Sequence, residues 1–200
     1  MARKVVPYEE IFHDILGALG GQAQDTLKQV VILAVEIARE GREGRKIGTM
    51  FVVFDQERVL GRSKALIYDP LKGHSSEEKH LSNPDMRETV KELAQLDGAF
   101  VVSEDGVVLS ACRYMDASSR GISLPKGLGA RHMAAASITR HTGATAVVVS
   151  ESSIVRVFKG GALVAEIIPG IWMLSEYSLH LGPPYSERTD HNVTVVSKTQ

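Results

Sequence analysis

A glycine-containing turn that leads into a helix of small residues is the first feature of this chain that could bind a ligand. The turn spans residues 127–129, and Ala130, Arg131 and His132 follow it at the predicted start of the helix. The free N–H groups of a helix N-terminus, the helix dipole and an arginine all favour an anion, and a phosphate fits best. Many such turns only connect two elements, because glycine also has purely structural uses.

Two acidic residues lie at other junctions between elements. Asp97 is followed by Gly98 and Ala99 where a predicted helix enters a strand, and Glu151 follows Ser150 at the end of a later strand. Rigid elements hold such positions while they face a crevice. Mg²⁺ and Mn²⁺ prefer carboxylate and phosphate oxygens, so Asp97 and Glu151 could hold such an ion against bound phosphates. From local sequence alone, it is equally possible that Asp97 is an ordinary turn residue and that Glu151 is a surface carboxylate.

Histidines provide weaker candidates. His132 could donate to a phosphate or ligate a metal, although a lone histidine near a helix start is often structural. His74, Glu77, Glu78 and His80 also have the side chains of metal ligands. Their spacing is not that of a compact ligand set such as His-Glu-x-x-His, so a solvated loop with charged edges is the favoured interpretation.

Apolar periodicity predicts the elements that position these residues. Helical spacing predicts helices at residues 7–19, 22–38 and 83–96, the small residues after the glycine turn predict one at 131–141, and a short helix is expected around 172–179. Apolar, β-branched runs predict strands at residues 47–54, 100–103, 107–112, 144–149, 154–158 and 162–168, with an edge strand at 193–196. Hairpins combined with a strand-helix-strand unit indicate an α/β fold: a mixed, largely central β-sheet flanked by helices, with residues 1–44 as an N-terminal helical appendage.

Composition restricts the class of protein. With 200 residues, 44% hydrophobic and 24% charged, the chain can bury a sizeable core, and its net charge of −1 argues against nucleic acid as a partner. The single cysteine, Cys112, excludes an intrachain disulfide and suits a reducing compartment. The best apolar run, residues 30–38, is too short to span a membrane and contains Glu36. We therefore expect a soluble cytoplasmic protein.

In order and spacing, Asp97-Gly98-Ala99, Gly129 to His132 and Ser150-Glu151 resemble the signatures of the diadenylate cyclase family, whose catalytic unit is the DisA N-terminal or DAC domain. The family signatures are Asp-Gly-Ala, Gly-Thr-Arg-His-Arg and Ser-Glu-Glu. The resemblance covers roughly residues 48–167. Residues 72–74 and the helix that begins at Asn83-Pro84 also resemble the family, particularly its archaeal members. Residues 45–200 are accordingly assigned to a diadenylate cyclase-like catalytic domain.

The resemblance implies an enzyme that makes cyclic di-AMP from two ATP molecules, releases two pyrophosphates and requires Mg²⁺ or Mn²⁺. It implies catalytic roles for Asp97, Arg131 and His132, and a metal site formed by Asp97, Glu151 and His132. The ATP-binding residues that it implies are Gly98, Ala99, Tyr114, Met115, Gly129, Ala130, Arg131, His132, Ser150 and Glu151. Each subunit would hold one ATP, and catalysis would need self-association as a face-to-face dimer or a higher oligomer.

Three positions depart from the family pattern. Ala130 replaces the usual threonine, Met133 replaces the second arginine, and Ser152 replaces the second glutamate. Ala130 and Met133 keep a second interpretation open, namely a catalytically weak regulatory module that binds ATP or a cyclic dinucleotide. A third class is a structural interaction protein that uses the N-terminal helices.

Overall fold

The computed structural model describes residues 24–116, 118, 120–169, 185–190 and 193–198. The helices predicted at 7–19 and 172–179 lie outside these residues. Within them, the helices are α1 (Gln24–Glu40), α2 (Gln56–Gly61), α3 (Pro84–Leu93) and α4 (Ala130–His141). The strands are β1 (Thr49–Val53), β2 (Ser63–Ala65), β3 (Ala99–Val102), β4 (Val108–Met115), β5 (Thr145–Val149), β6 (Val155–Lys159), β7 (Ala162–Ile167), β8 (Tyr185–Asp190) and β9 (Val193–Lys198).

Seven strands form one mixed sheet in the order β2-β4-β3-β1-β5-β6-β7. β1 and β3 are parallel, and the other neighbouring strands of this sheet are antiparallel. The prediction of a mixed central sheet flanked by helices is therefore confirmed. The strand predicted at 193–196 is present as β9, but it pairs with β8 in a separate two-stranded sheet.

Helices cover both faces of the large sheet, which explains why every residue of β1 is buried. Because side chains alternate along a strand, Phe51 packs in the core beneath α1 and α3, whereas Val52 packs in the core beneath α2 and α4. The rings of Phe51 and Phe100 stack with their centroids 5.1 Å apart in the first of these cores. This two-sided burial fixes the strand ends that carry the candidate site.

The helix that the sequence predicts at 22–38 extends from residue 24 to residue 40 and packs against β5 and β6. The apolar positions that predicted it are all buried: Leu27, Val30, Val31, Ala34 and Ile37. Together with α3 it forms the cover of one face of the sheet. The boundary between an appendage and a catalytic domain at residue 44 stays a prediction.

Helix α3 follows the sequence signals closely at its start. The Asn83 side chain accepts a hydrogen bond from the Asp85 N–H, and Pro84 occupies the first helical position. Neither α2 nor β2 was predicted from the sequence. They have six and three residues, which is too short for a helical or strand period to be recognised.

Candidate functional site

A cleft of about 610 Å³ opens at one edge of the sheet. At this edge β1 and β3 begin, β4 and β5 end, and α4 starts, because β4 and β5 run antiparallel to the two parallel strands. The predicted site residues that line the cleft are Asp97, Gly98, Tyr114, Met115, Gly129, Ala130, Arg131, His132, Ser150 and Glu151. Ala99 does not line it, because its side chain points into the core beneath α4.

Asp97, Arg131 and Glu151 form a charged group in this cleft, which we call the cleft cluster. Arg131 Nη2 lies 3.3 Å from Asp97 Oδ1, and Arg131 Nη1 lies 3.2 Å from Glu151 Oε1. The Asp97 and Glu151 side chains are 88% and 69% exposed, so both carboxylates remain open to a ligand. Mg²⁺ is commonly bound by one or two carboxylates together with substrate phosphates, and these two carboxylates fit that donor set.

The start of α4 is open to an anion. Gly129 is its N-cap and provides no side-chain cap, and the first turn contains no acidic residue. Ala135, Ala136 and Ile138 pack into the core beneath the helix, so its small residues let it lie close to the sheet. The positive end of the helix dipole is therefore held at the cleft without a negative side chain to neutralise it.

His132 is nine-tenths buried beside the cleft. Its Nε2 lies 3.3 Å from Nη1 of Arg156, and because arginine can only donate, Nε2 must accept. Burial, together with the charges of Arg156 and Arg131, lowers the pKa of the imidazole, which favours the neutral form. Nδ1 is enclosed and has no hydrogen-bond partner among the described residues.

This arrangement does not place His132 with the carboxylates. In the part of the chain that the structure describes, no group of three or more histidine, cysteine, aspartate or glutamate side chains could hold a metal ion. One ring nitrogen of His132 faces Arg156 and the other is enclosed. The donor set available to a metal is therefore the carboxylate pair, and the role of His132 as a metal ligand has no geometric support.

Arg156 and Gly48 also contact residues of the candidate site, and neither was predicted from the sequence. Arg156 is held by Glu166, with Nε 2.6 Å from Oε1, and reaches His132 from β6. Its neighbours Val155 and Val157 are buried in the opposite core, so alternation along β6 could have placed Arg156 on the α4 side of the sheet. Gly48 lies beside Arg131 and Glu151, and its sequence context gave no signal of that contact.

Tyr114 and Met115 lie where β4 ends at the cleft. Tyr114 is half exposed, and the Lys64 Nζ lies 5.3 Å from the centre of its ring, whereas Met115 is buried. Arg113, a further lining residue that the sequence analysis missed, donates hydrogen bonds to the Ser63 side chain and to the Leu60 carbonyl. A flat aromatic ring beside a buried apolar side chain suits a planar heterocycle.

Gly98 has a structural requirement of its own. Its φ of +109° is in the left-handed region, and a Cβ would lie 2.7 Å from the carbonyl carbon of Cys112. Cys112 is buried, as expected for a small core residue, and burial raises the pKa of its thiol. Because any side chain at residue 98 would clash with the backbone of Cys112, only glycine lets the chain pass β4 and place Asp97 at the cleft.

The two serines near Glu151 belong to one tight turn. The Ser150 and Ser152 hydroxyls lie 2.9 Å apart, and the Ser153 N–H donates to the Ser150 carbonyl. Ser152, which departs from the family pattern, therefore binds a neighbouring hydroxyl that lines the cleft. A glutamate at this position would put a third carboxylate near the cleft cluster.

The weaker histidine candidates have structural partners. His80 contacts the Asp105 carbonyl at 2.6 Å and the Ser82 hydroxyl at 2.7 Å. His74 lies 3.9 Å from Glu78 on an exposed loop. These contacts agree with the favoured interpretation of a charged loop.

Comparison with known proteins gives the family. The model of the DAC family, described as DisA bacterial checkpoint controller nucleotide-binding, matches residues 36–163. This match covers more than half of the chain, and the chain belongs to this family. It agrees with the family that the three sequence signatures indicated.

Two curated relatives are similar over most of the chain. A diadenylate cyclase of Methanocaldococcus jannaschii is 44% identical over 158 residues, which are 78% of this chain and 50% of that protein. A diadenylate cyclase of Haloferax volcanii is 43% identical over 145 residues, which are 72% of this chain and 52% of that protein. The chain thus spans about half the length of the curated relatives it matches.

A solved structure supports the fold. A hypothetical membrane spanning protein from Bacillus cereus superposes with a TM-score of 0.52 at 20% identity, covering 70% of this chain and 66% of that chain. At this identity the similarity concerns the fold alone. In this chain, no helix among the described residues is long and apolar enough to cross a membrane.

Proposed function

We propose that this chain is a diadenylate cyclase that condenses two ATP molecules into cyclic di-AMP and releases two pyrophosphates. One observation carries the proposal: the Arg131 guanidinium, at the uncapped start of α4, lies within 3.3 Å of both the Asp97 and the Glu151 carboxylate. The names of the two curated relatives support the same activity. The volume of the cleft is in the range of nucleotide and drug-sized ligand pockets.

Each part of the cleft has a role in this proposal. The N–H groups at Gly129 and Ala130, together with Arg131, bind phosphate oxygens and stabilise the leaving pyrophosphate. Gly98 lets the backbone approach the nucleotide, and Tyr114 and Met115 flank the adenine. Ser150 lies beside the same phosphates, and His132, neutral and held by Arg156, supports the start of α4.

Asp97 and Glu151 would hold Mg²⁺ or Mn²⁺. A bound divalent ion supplies Lewis acidity, which neutralises phosphate charge and lowers the pKa of the attacking ribose 3′-hydroxyl. Asp97 lies beside that hydroxyl and orients it. Alignment of the hydroxyl with the α-phosphate removes much of the entropic barrier.

Two subunits would meet face to face, so that each 3′-hydroxyl is in line with the α-phosphate of the partner's ATP. A two-fold dimer gives both transfers the same contacts. A monomer would bind ATP but would not cyclise it. Specific activity should therefore rise with protein concentration.

The test is a product assay with purified protein, ATP and either Mg²⁺ or Mn²⁺, read by mass spectrometry. The unmodified chain is expected to form cyclic di-AMP, and Asp97→Asn to form at least about 100-fold less. Asp85→Asn, which removes an exposed carboxylate from the first turn of α3, is the matched control and should retain activity. If no product forms with either metal, or if Asp97→Asn equals the unmodified chain, the proposal is wrong.

Ala130 and Met133 favour one second candidate, a regulatory module that binds ATP or a cyclic dinucleotide with little turnover. They remove a hydroxyl and a cation from the phosphate-binding turn. This candidate predicts saturable ATP binding in calorimetry without pyrophosphate release. Absence of any nucleotide binding would instead favour an interaction protein.

A further inference from the structure

The position of Arg131 has a consequence for metal binding. Its two outer nitrogens serve different carboxylates, at 3.3 Å to Asp97 and 3.2 Å to Glu151. A guanidinium can do this because its nitrogens are fixed in one plane and all of them donate. Its single positive charge therefore neutralises the same two carboxylates that would ligate a divalent cation.

Gly48 provides the space that the guanidinium occupies. A Cβ at this residue would lie 2.5 Å from Arg131 Nη1 and 3.2 Å from the Glu151 Cγ. The φ angle of Gly48 is outside the left-handed region, so the backbone does not require glycine here. What requires it is the close approach of Arg131. Because the nearest atom is the end of a flexible side chain, a methyl group at residue 48 would displace the guanidinium and leave the fold intact.

We propose that Arg131 is an internal counter-ion of the metal site, which holds Asp97 and Glu151 in the absence of metal and leaves them when a divalent cation binds. This inference rests on the proposed function, because that function assigns the metal to these two carboxylates. The released guanidinium is then available to phosphate oxygens, for which its paired donors are well suited. Partly exposed ion pairs contribute little, so the competition with the cation is modest.

The experiment measures binding of Mn²⁺ alone, without nucleotide, from the electron paramagnetic resonance signal of the free ion. Arg131→Met is expected to bind Mn²⁺ about three- to tenfold more tightly than the unmodified chain, since two competing ion pairs are lost. Gly48→Ala keeps every charge, displaces the guanidinium and shifts the Glu151 side chain by no more than a few tenths of an ångström, so it should bind about two- to fivefold more tightly. Asp97→Asn should weaken binding.

Arg140→Met is the matched control. It removes one positive charge from the last turn of the same helix, about 13 Å along the axis from Arg131. At about 0.1 M ionic strength this separation exceeds the screening length, so its Mn²⁺ affinity should equal that of the unmodified chain. Thermal melting followed by circular dichroism checks that all four variants are folded.

The outcomes separate this inference from the proposed function. If the unmodified chain binds no Mn²⁺, if either Arg131→Met or Gly48→Ala fails to bind it more tightly, or if Arg140→Met tightens it equally, the inference is overturned even when cyclic di-AMP is formed. If the affinities change as expected but no cyclic di-AMP forms with any metal, the counter-ion role stands and the proposed activity is lost.

Discussion

Two groups of charged side chains lie at different places in this fold, and their geometry differs. In the helix–helix cluster, Lys91 of α3 lies 2.9 Å from Glu88, 3.2 Å from Glu36 and 3.3 Å from Glu40, and its side chain is only 11% exposed. In the cleft cluster, Arg131 is 36% exposed and its carboxylate partners are far more open. In the first group Lys91 lies among three carboxylates of α1 and α3, two of which also pair with an arginine. In the second group Arg131 lies between two carboxylates.

The difference shows how burial separates a structural group from one that can change partners. Burial opposes the charge on Lys91, yet hydrogen bonds to Glu88 and Glu36 outweigh it, and the pKa of Lys91 is raised. Removing Lys91 would take one cation from three neighbouring carboxylates, although Glu36 keeps Arg87 at 2.7 Å and Glu88 keeps Arg42 at 2.8 Å. The cleft cluster is far more exposed to water, so its ion pairs can be exchanged for a ligand at little cost in stability.

The largest expected effect comes from Arg131→Met. Turnover of ATP to cyclic di-AMP should fall about 100- to 1000-fold, because a preorganised charge facing the reacting phosphates is lost. Stability should hardly change, since the removed pairs are exposed. Initial rates by mass spectrometry and unfolding in urea measure the two quantities.

Arg140→Met is also the control for this turnover measurement. It lies in the last turn of α4 and donates to the Gly121 carbonyl, so it should keep its rate within about twofold. A large loss of stability in Arg131→Met, with a rate that falls only in proportion to unfolding, would mean that Arg131 is structural. The contrast between the two clusters would then be wrong.

Sequence alone predicted the helices with regular apolar patterns, such as α1 and α3, and the sheet that they cover. It also predicted that Asp97, Arg131 and Glu151 share one site, because the three motifs lie at the ends of elements and follow one another in the family's order. It could not locate Gly48 or Arg156, whose roles depend on contacts between strands and α4 that are distant in sequence. Nor could it show that His132 is buried against Arg156, because that contact is a tertiary property.

Lys91→Met makes the matching change in the helix–helix cluster. The free energy of unfolding should fall by about 1–2 kcal/mol, between the values for exposed and buried ion pairs, because Glu36, Glu40 and Glu88 lose their shared cation. Turnover under conditions where the chain is folded should stay unchanged. Urea unfolding and initial rates test this, and a loss of turnover without a loss of stability would contradict it.

The smallest expected effect is the pH dependence of that same contribution. Lys91 gains carboxylate partners on folding, so its pKa is higher in the folded chain than in the unfolded chain, where it is near 10.5. The stability that Lys91 adds is therefore fully present below pH 10.5 and is lost as pH rises through the folded pKa. The difference in unfolding free energy between the unmodified chain and Lys91→Met should be constant from about pH 7 to 9 and should shrink above pH 10.5. A difference that grows in that range would mean that the carboxylates around Lys91 do not favour its charged form.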